Sequence, residues 1–281
     1  MIPIYIPSYN RAETIKTTKW LDVDKIPYKV LLHSSNCADQ YLKAGHVKAG
    51  NLIVTEAPRG ITNQRNWMTK NIAKVNEWYV SLDDNIGHLK RVIDKYYGLR
   101  SIDVENPSVR QADFNQAITA KEWLGLLEKD MQVAEQIKAE YIGFATVDNY
   151  FFNSKKYKPV GYVISKAVVI KYAGLKYDNN LEAMEDFGYC AAQLVKNNCV
   201  LINSWIKPVA GHYEPGGIGT YEQRVPRKIK DCEYLMRKYP GLFRYKEKKG
   251  CHPKAELQIR FHSPKQVIQW KQQYKIPNET Y

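Results

Sequence analysis

Two adjacent carboxylates followed by an amide stand directly after an apolar run in the first half of the sequence. Asp83, Asp84 and Asn85 follow residues 77–82, which read as a buried strand. Like charges at such a position repel each other, and each is costly to bury unless a positive charge compensates it. Carboxylate and carbonyl oxygens are the ligands that Mg²⁺ and Mn²⁺ prefer, so the cluster predicts a divalent metal site. The alternative is a strand-to-turn junction, where Asp and Asn bond to nearby backbone groups.

A second cluster opens a helix after another strand. In the segment GITNQRN, residues 60–66, Gly60 permits close approach of the backbone, and Arg65 lies in the first turns of the helix. A helix N-terminus together with an arginine favours an anion, so a phosphate-bearing ligand is predicted here. The segment is neither a Walker A loop nor a Gly-x-Gly-x-x-Gly fingerprint.

A third cluster combines two carboxylates with aromatic neighbours. Glu185 and Asp186 stand within MEDFGY, residues 184–189, in an otherwise apolar helix. Desolvation raises the pKa of a carboxylate towards neutrality, which suits a general base. The alternative is a pair of acids that complement the dipole at a helix N-terminus.

His212 stands between an apolar strand and a glycine-rich loop, residues 216–219. It is a candidate additional metal ligand, and the loop has the freedom to close over a ligand. The alternative is an ordinary surface histidine.

The elements that must position these residues alternate between strand and helix in the first half. This order predicts an α/β fold with a mainly parallel sheet flanked by helices, in which ligands bind at the carboxyl ends of strands. Three strand ends carry polar clusters, at residues 7–11, 33–36 and 83–85, and the fold should gather them along one edge. The predicted strands are 2–6, 28–33, 51–54 and 77–82, and the helices are 12–21, 39–44 and 62–75.

The second half has a less regular pattern. Residues 90–115 read as irregular. Helices are predicted over 118–138, 181–197, 232–237 and 264–274, and strands over 141–146, 161–165 and 199–206.

Composition narrows the class of protein. The 281 residues contain no apolar stretch of membrane-spanning length, and the N-terminus has no basic region of the kind that begins a signal peptide. The five cysteines are odd in number and widely spaced, which argues against a disulfide framework and favours a reducing, cytoplasmic setting. We therefore expect no membrane association.

The net charge of +13 is concentrated near the C-terminus. Residues 205–281 hold 16 Lys and Arg against 7 Asp and Glu, interleaved with aromatic residues. A basic aromatic surface suits a polyanion, because cations contact phosphates and rings can stack on bases. The alternative is a solvated basic face over a partly buried aromatic core. The candidate DNA-binding residues are Arg224, Arg227, Lys228, Lys230, Lys248 and Lys249.

Taken together, the segments IPIYIPSYNRAETI, RGITNQRNW and WYVSLDDNI resemble the nucleotide-sugar domain of family-2-like GT-A glycosyltransferases. The resemblance implies a UDP-sugar donor and an Mn²⁺ or Mg²⁺ ion held by Asp83, Asn85 and His212, although Asn85 replaces the second Asp of the family's metal motif. It also implies that Asp186, or Glu185, is the catalytic base. The nucleotide-sugar contacts that it implies are Pro7, Ser8, Tyr9, Arg11, His33, Gly60, Arg65, Asn66 and Asp84.

More narrowly, the same segments resemble phage-type glycosyltransferases of DNA base hypermodification. This resemblance implies transfer to a hydroxymethylated pyrimidine, above all 5-hydroxymethylcytosine, in duplex DNA within the host cytoplasm. The basic C-terminus supports it independently, since an acceptor carried on DNA needs a surface that neutralises phosphates. The expected organisation is a GT-A domain over residues 1–220, with a nucleotide-sugar half at 1–90 and an acceptor half at 117–220. A basic aromatic extension, residues 221–281, should pack on it.

Two alternatives stay open from the sequence. One keeps the fold and replaces the acceptor by a polysaccharide, a lipid-linked sugar or a protein. The other is a non-catalytic nucleic-acid-binding module on a transferase scaffold, which Asn85 and His33 favour. The sugar, the stereochemistry and the oligomeric state are not specified by the sequence.

Overall fold

A computed structural model describes residues 1–93, 115–146, 155–211, 220–247 and 250–277. Most of the segment predicted to be irregular lies outside these residues, as do His212, the 216–219 loop, Lys248 and Lys249.

The centre of the molecule is an eight-stranded sheet in which six strands run in the same direction. The two antiparallel strands are residues Ala167–Lys171 within the sheet and Tyr157–Lys158 at one edge. In spatial order the strands are β3 (Leu52–Val54), β2 (Lys29–Leu32), β1 (Ile4–Pro7), β4 (Trp78–Leu82), β9 (Ala167–Lys171), β7 (Tyr141–Phe144), β10 (Leu201–Asn203) and β8 (Tyr157–Lys158).

Seven α-helices are assigned within the described residues, and some of them are capped by a side chain, as in the helix that follows Thr119. The side chains of Thr119 and Glu122 each accept a hydrogen bond from the other residue's backbone N–H, which forms a capping box. The box satisfies N–H groups that have no partner within the helix. The helices are α1 (Thr17–Val23), α2 (Ser35–Ala44), α3 (Ile61–Asn71), α4 (Ala120–Ile137), α5 (Glu185–Asn197), α6 (Tyr221–Lys238) and α7 (Pro264–Gln273).

Successive side chains of a strand point to opposite faces of the sheet. Because apolar side chains occur on both faces, helices cover both of them. Val169 on β9 joins a core with Trp20 of α1 and Trp123 of α4. Its neighbour Ile170 joins the second core, which α5, α6 and α7 complete. The residues of the predicted C-terminal extension therefore share a hydrophobic core with α5.

Two smaller sheets accompany the central one. Strands β11 (Ile206–Ala210), β5 (Ile86–Val92) and β6 (Asn115–Ile118) form the first, and β12 (Phe243–Tyr245) with β13 (Leu257–Ile259) forms the second. Residues 83–85 are therefore a three-residue link between β4 of the central sheet and β5 of a smaller one.

The predicted alternation of strands and helices over the first half is confirmed, and so is the α/β class with its mostly parallel sheet. Helix α1 begins at Thr17 rather than at residue 12, because the N–H groups of Lys16 and Thr17 bind the carbonyl oxygen of Asp84 at 2.9 and 3.3 Å.

Several predictions in the second half are wrong. The strand expected at 161–165 is irregular, and the chain becomes extended only at β9. The strand expected at 199–206 is two short strands with a turn at Ser204 and Trp205. The short helix expected at 232–237 is the end of an 18-residue helix that contains Pro226. Strands of two to four residues, such as β8 and β12, are too short to show an alternating pattern.

None of the helices in the described part of the chain is both long enough and apolar enough to cross a bilayer.

Truncating Trp270 should lower the free energy of unfolding by about 3–5 kcal/mol, because its ring lies in the second core with only 1% of its surface exposed. Urea denaturation of Trp270→Ala measures the loss. Ile268→Ala is the matched control on the same helix, since Ile268 is 42% exposed, and should cost less than about 1 kcal/mol. Equal losses for the two variants would contradict the assigned packing of α7.

Candidate active site

The link at residues 83–85 has a fixed backbone. The N–H of Asp83 donates to the carbonyl oxygen of Lys166 at 2.7 Å, and the hydroxyl of Thr17 donates to the carbonyl oxygen of Asp83 at 2.5 Å. The same hydroxyl accepts from the N–H of Ile86 at 3.0 Å. The loop before β9 and the start of α1 therefore fix how the three polar side chains leave the edge of the sheet.

Asp84 is neutralised by residues that follow β1. Its Oδ1 lies 3.2 Å from Nε of Arg11, and its Oδ2 accepts from the hydroxyl of Ser8 at 2.6 Å. Burial raises the pKa of Asp84, while Ser8 and Arg11 act in the opposite direction. Both carboxylate oxygens are thus engaged within the protein, and Asp84 joins the ends of β1 and β4.

Asp83 and Glu185 share a different arginine. The guanidinium of Arg65, on α3, donates to Glu185 Oε1 at 2.7 Å, to Asp83 Oδ1 at 3.4 Å and to the carbonyl oxygen of Ser165 at 3.0 Å. The Arg65 side chain is only 3% exposed. A planar guanidinium with several donors can join such partners in one geometry. Arg65 therefore connects α3, β4, α5 and the loop before β9.

Asp83 keeps an open side. Its side chain is 33% exposed even though it pairs with Arg65. Burial and, to a smaller extent, the charges of Asp84 and Glu185 together raise the pKa of Asp83 to about 7, even though Arg65 lowers it. A positive ligand at this carboxylate would favour its ionised form.

Asp186 is the next carboxylate along α5, beside Glu185. It accepts a hydrogen bond from the hydroxyl of Tyr162 at Oδ2 and one from the N–H of Phe187 at Oδ1, at 2.8 Å. The ring of Tyr162 stacks on Phe187 with 3.9 Å between centroids, which holds the donor in place. Burial and the neighbouring charge of Glu185 raise the pKa of Asp186 to about 7. Such a group can accept a proton near neutral pH.

Tyr9, His33 and Arg59 form an aromatic and cationic group beyond β1, β2 and β3. The Tyr9 and His33 rings lie 5.3 Å apart, and Cζ of Arg59 lies 4.3 Å from the centroid of Tyr9. Sequence reasoning predicted Tyr9 and His33 but missed Arg59, which directly precedes Gly60. Its position beside the predicted phosphate-favouring segment was the available signal.

Other predicted nucleotide contacts serve the protein itself. The amide nitrogen of Asn66 donates to the carbonyl oxygen of Tyr177 and to Oδ1 of Asn179, both at 2.9 Å, and its oxygen accepts from the N–H of Tyr177 at 2.8 Å. Asn66 thus holds the 177–179 loop.

Three further residues predicted to contact the nucleotide have structural positions. Arg65 is enclosed by its partners, and Pro7 is the buried last residue of β1. Gly60 precedes α3 with φ 129°.

Few of the residues predicted to bind a metal have a donor atom that is not already used within the protein. Asn85 donates from Nδ2 to the carbonyl oxygen of Gly211 at 2.9 Å, while its buried Oδ1 has no hydrogen-bond partner in the described part of the chain. Among the described residues no three His, Cys, Asp or Glu side chains come together as a metal site. The carboxylate of Asp83 and the unpaired oxygen of Asn85 are donors of the chemical type that Mg²⁺ and Mn²⁺ prefer.

The basic residues of α6 are partly used within the fold. Lys228 pairs with Glu256, and Lys230 lies 3.1 Å from Glu182 but is largely exposed. Arg224 and Arg227 also have partners within the protein. The aromatic residues Tyr239, Phe243 and Trp270 are buried, so the structure places these three in a hydrophobic core rather than on a surface that stacks on bases.

Replacing Arg65 by Met should lower the free energy of unfolding at pH 7 by about 3–5 kcal/mol, because Glu185 and Asp83 lose their common cation. The Asp83 pKa of about 7 in the folded protein lies above its unfolded value of about 3.9, so its ionisation costs stability as pH rises through this window. The loss caused by Arg65→Met should therefore be larger at pH 8 than at pH 5. Urea denaturation at the two pH values measures both losses.

Lys74→Met provides the control for removing a cation. Lys74 pairs with Glu77 at 3.7 Å on the surface, so its loss should change the free energy of unfolding by no more than about 1 kcal/mol at either pH. A loss for Arg65→Met that is the same at pH 5 and pH 8 would mean that its carboxylate partners do not depend on it.

Comparison of the chain with protein-family models, with curated proteins and with solved structures finds no match in any of the three.

Proposed function

We propose that this protein is a glycosyltransferase that moves a sugar from a UDP-sugar to a hydroxymethylated pyrimidine, above all 5-hydroxymethylcytosine, in phage DNA. The observation that carries the proposal is the connection between two carboxylate groups at one sheet edge. Arg65 joins the partly exposed Asp83 to Glu185, and Asp186 follows directly on α5. A leaving diphosphate could be held on the Asp83 side while a hydroxyl is deprotonated on the Asp186 side.

Asp186 is the proposed general base of an inverting transfer. Its pKa of about 7 leaves it able to take the proton of the acceptor hydroxymethyl group at neutral pH, and Tyr162 fixes the orientation of its carboxylate. The hydroxyl oxygen forms a bond to the anomeric carbon as the bond from that carbon to the diphosphate oxygen breaks. The bonding electrons leave with UDP, and the proton is transferred to Asp186.

Asp83 and Asn85 are the proposed protein ligands of an Mg²⁺ or Mn²⁺ ion. The partly exposed carboxylate and the unpaired amide oxygen support this assignment, whereas Asp84 already binds Ser8 and Arg11. When bound, the ion would neutralise the negative charge that develops on the departing diphosphate.

Tyr9, His33 and Arg59 are the proposed contacts to the nucleoside. They lie beyond neighbouring parallel strands, which is where open α/β sheets bind ligands. An aromatic ring and a guanidinium offer flat surfaces to a base, and Arg59 adds a positive charge that suits the diphosphate.

The DNA acceptor is supported by charge. Residues 205–281 carry the surplus of +9, and Lys230 on α6 is largely exposed. Arg244 on β12 and Lys246 directly after it are two positions apart, so they point to the same side of the strand, and both are exposed. Cations on a helix and on a neighbouring strand can contact the phosphates that flank a target base.

Mass spectrometry of nucleosides tests the proposal directly. The protein is incubated with DNA containing 5-hydroxymethylcytosine, a panel of UDP-sugars and Mn²⁺, and the DNA is then digested. We expect a nucleoside heavier by one sugar residue with the wild type. The product should be lost with Asp83→Ala, because the ion that neutralises the diphosphate would lose its carboxylate ligand. Asp39→Ala, which removes an exposed carboxylate on α2, should retain transfer.

Parallel incubations separate the alternatives. Unmodified DNA, a polysaccharide and a peptide serve as competing acceptors, and UDP release without any acceptor reports hydrolysis of the donor. Transfer only to a non-DNA acceptor would replace the acceptor part of the proposal. Absence of both transfer and donor hydrolysis with every UDP-sugar would contradict the assignment as a transferase.

The pH dependence of turnover tests the assignment of Asp186. With saturating donor, kcat should rise about tenfold per pH unit below pH 7 and level off above it, since only ionised Asp186 accepts the proton. Asp186→Asn should lower kcat by a factor of about 10² or more, with the KM of the donor nearly unchanged. Full activity in Asp186→Asn would assign the base elsewhere.

A further inference from the structure

Three consecutive residues of α6 contact the three residues that precede α5. Lys230 pairs with Glu182 at 3.1 Å, and the thiol of Cys232 lies 3.2 Å from the sulfur of Met184. Between them, the Asp231 carboxylate reaches the backbone of the same segment. We call residues 182–184 the α5 lead segment, because Glu185 and Asp186 follow it immediately.

Asp231 binds the backbone of the lead segment through one oxygen. Its Oδ2 accepts hydrogen bonds from the N–H groups of Glu182, Ala183 and Met184 at 3.0, 2.7 and 3.0 Å. Successive N–H groups that converge on one point form an anion-binding nest. A carboxylate near a helix N-terminus is also favoured by the helix dipole. The nest is thus filled by a side chain of the protein.

This carboxylate has an unusual setting. Asp231 is fully buried, and its second oxygen, Oδ1, has no hydrogen-bond partner in the described residues. The neighbouring Lys230 pairs with Glu182, and Lys228 pairs with Glu256. Burial raises the pKa of Asp231, and the three N–H groups oppose that shift. Burying a charge in this way is costly unless its hydrogen bonds compensate.

The N-cap residue of helix α5 does not duplicate this contact. That residue, Met184, provides no capping hydrogen bond from its side chain, whereas α4 and α6 begin with capping boxes of their own. The direction in which α5 leaves the lead segment therefore depends on a side chain 47 positions further along the sequence from Met184. That direction decides where Glu185 meets Arg65 and where Asp186 meets Tyr162.

We propose that Asp231 is a positioning residue for the Glu185–Asp186 pair, holding the start of α5 through its three N–H contacts. The kinetic consequence depends on the proposed transferase function, but the structural consequence does not. The same helix carries Arg224 and Arg227, two of the residues predicted to bind DNA.

Two substitutions separate the hydrogen bonds from the charge. Asp231→Ala removes the acceptor, which should free the lead segment and expose Asp186 to water. Asp231→Asn keeps an acceptor oxygen for the same N–H groups and should retain most of the wild-type geometry. Asp130→Ala is the matched control, because Asp130 is a buried carboxylate bonded to Tyr157 and Asn203 on other elements.

Carboxyl NMR titration of Asp186 and hydrogen exchange of the 182–184 amides provide the readouts that need no activity. In Asp231→Ala, exchange of these amides should accelerate at least tenfold, and the Asp186 midpoint should fall by about one pH unit as the carboxylate gains hydration. Asp231→Asn and Asp130→Ala should each leave the midpoint near its wild-type value. An unchanged Asp186 midpoint in Asp231→Ala overturns the proposal.

Steady-state kinetics are a second test of the role of Asp231. With the folded fraction measured for each variant, Asp231→Ala should lower kcat at least tenfold and move the pH–rate midpoint with the NMR midpoint, while the donor KM stays within twofold. A lower activity that follows only the folded fraction would show a purely structural role and overturn the proposal. If wild type transfers no sugar, the proposed function fails, and the NMR and exchange arms still decide the role of Asp231.

Discussion

The buried guanidinium of Arg65 is the interaction on which the rest of this site depends. It binds the carboxylates of Asp83 and Glu185 and the carbonyl oxygen of Ser165, so four separate elements meet at one side chain. A buried cation needs such partners because it has lost its hydration, and the carboxylates need the cation for the same reason. The geometry of each group is therefore set by the others, and the sheet edge is held in one arrangement.

The two adjacent carboxylates of Asp83 and Asp84 follow from the same constraint. Each has its own arginine, Arg65 for Asp83 and Arg11 for Asp84, and the two arginines come from opposite ends of the β1–β4 segment. Asp84 is fully engaged and serves the fold, whereas Asp83 keeps an exposed side. One residue thus secures the strand ends, and its neighbour is left available for chemistry.

The sequence predicted the first half of the fold because its strands and helices are local patterns with a clear period. It also predicted that polar residues after β1, β2 and β4 would share one edge, since parallel strands bring their carboxyl ends together. It could not predict that Arg65 points inward or that Asp231 binds the lead segment, because these contacts join distant parts of the chain. For the C-terminal aromatic residues the sequence left two interpretations open, because composition does not tell a buried ring from an exposed one. Tyr239, Phe243 and Trp270 agree with the buried aromatic core.

The antiparallel strand β9 lies between β4 and β7 in the centre of the sheet, and this has a consequence for how the chain folds. During synthesis from the N-terminus, β1 to β4 can pair, but the edge of β4 stays open until residues 167–171 have emerged. Arg65 can bind Glu185 only after a further 120 residues have been synthesised. Contacts of such sequence separation slow folding. The edge that carries the candidate active site is therefore among the last parts of the sheet to close.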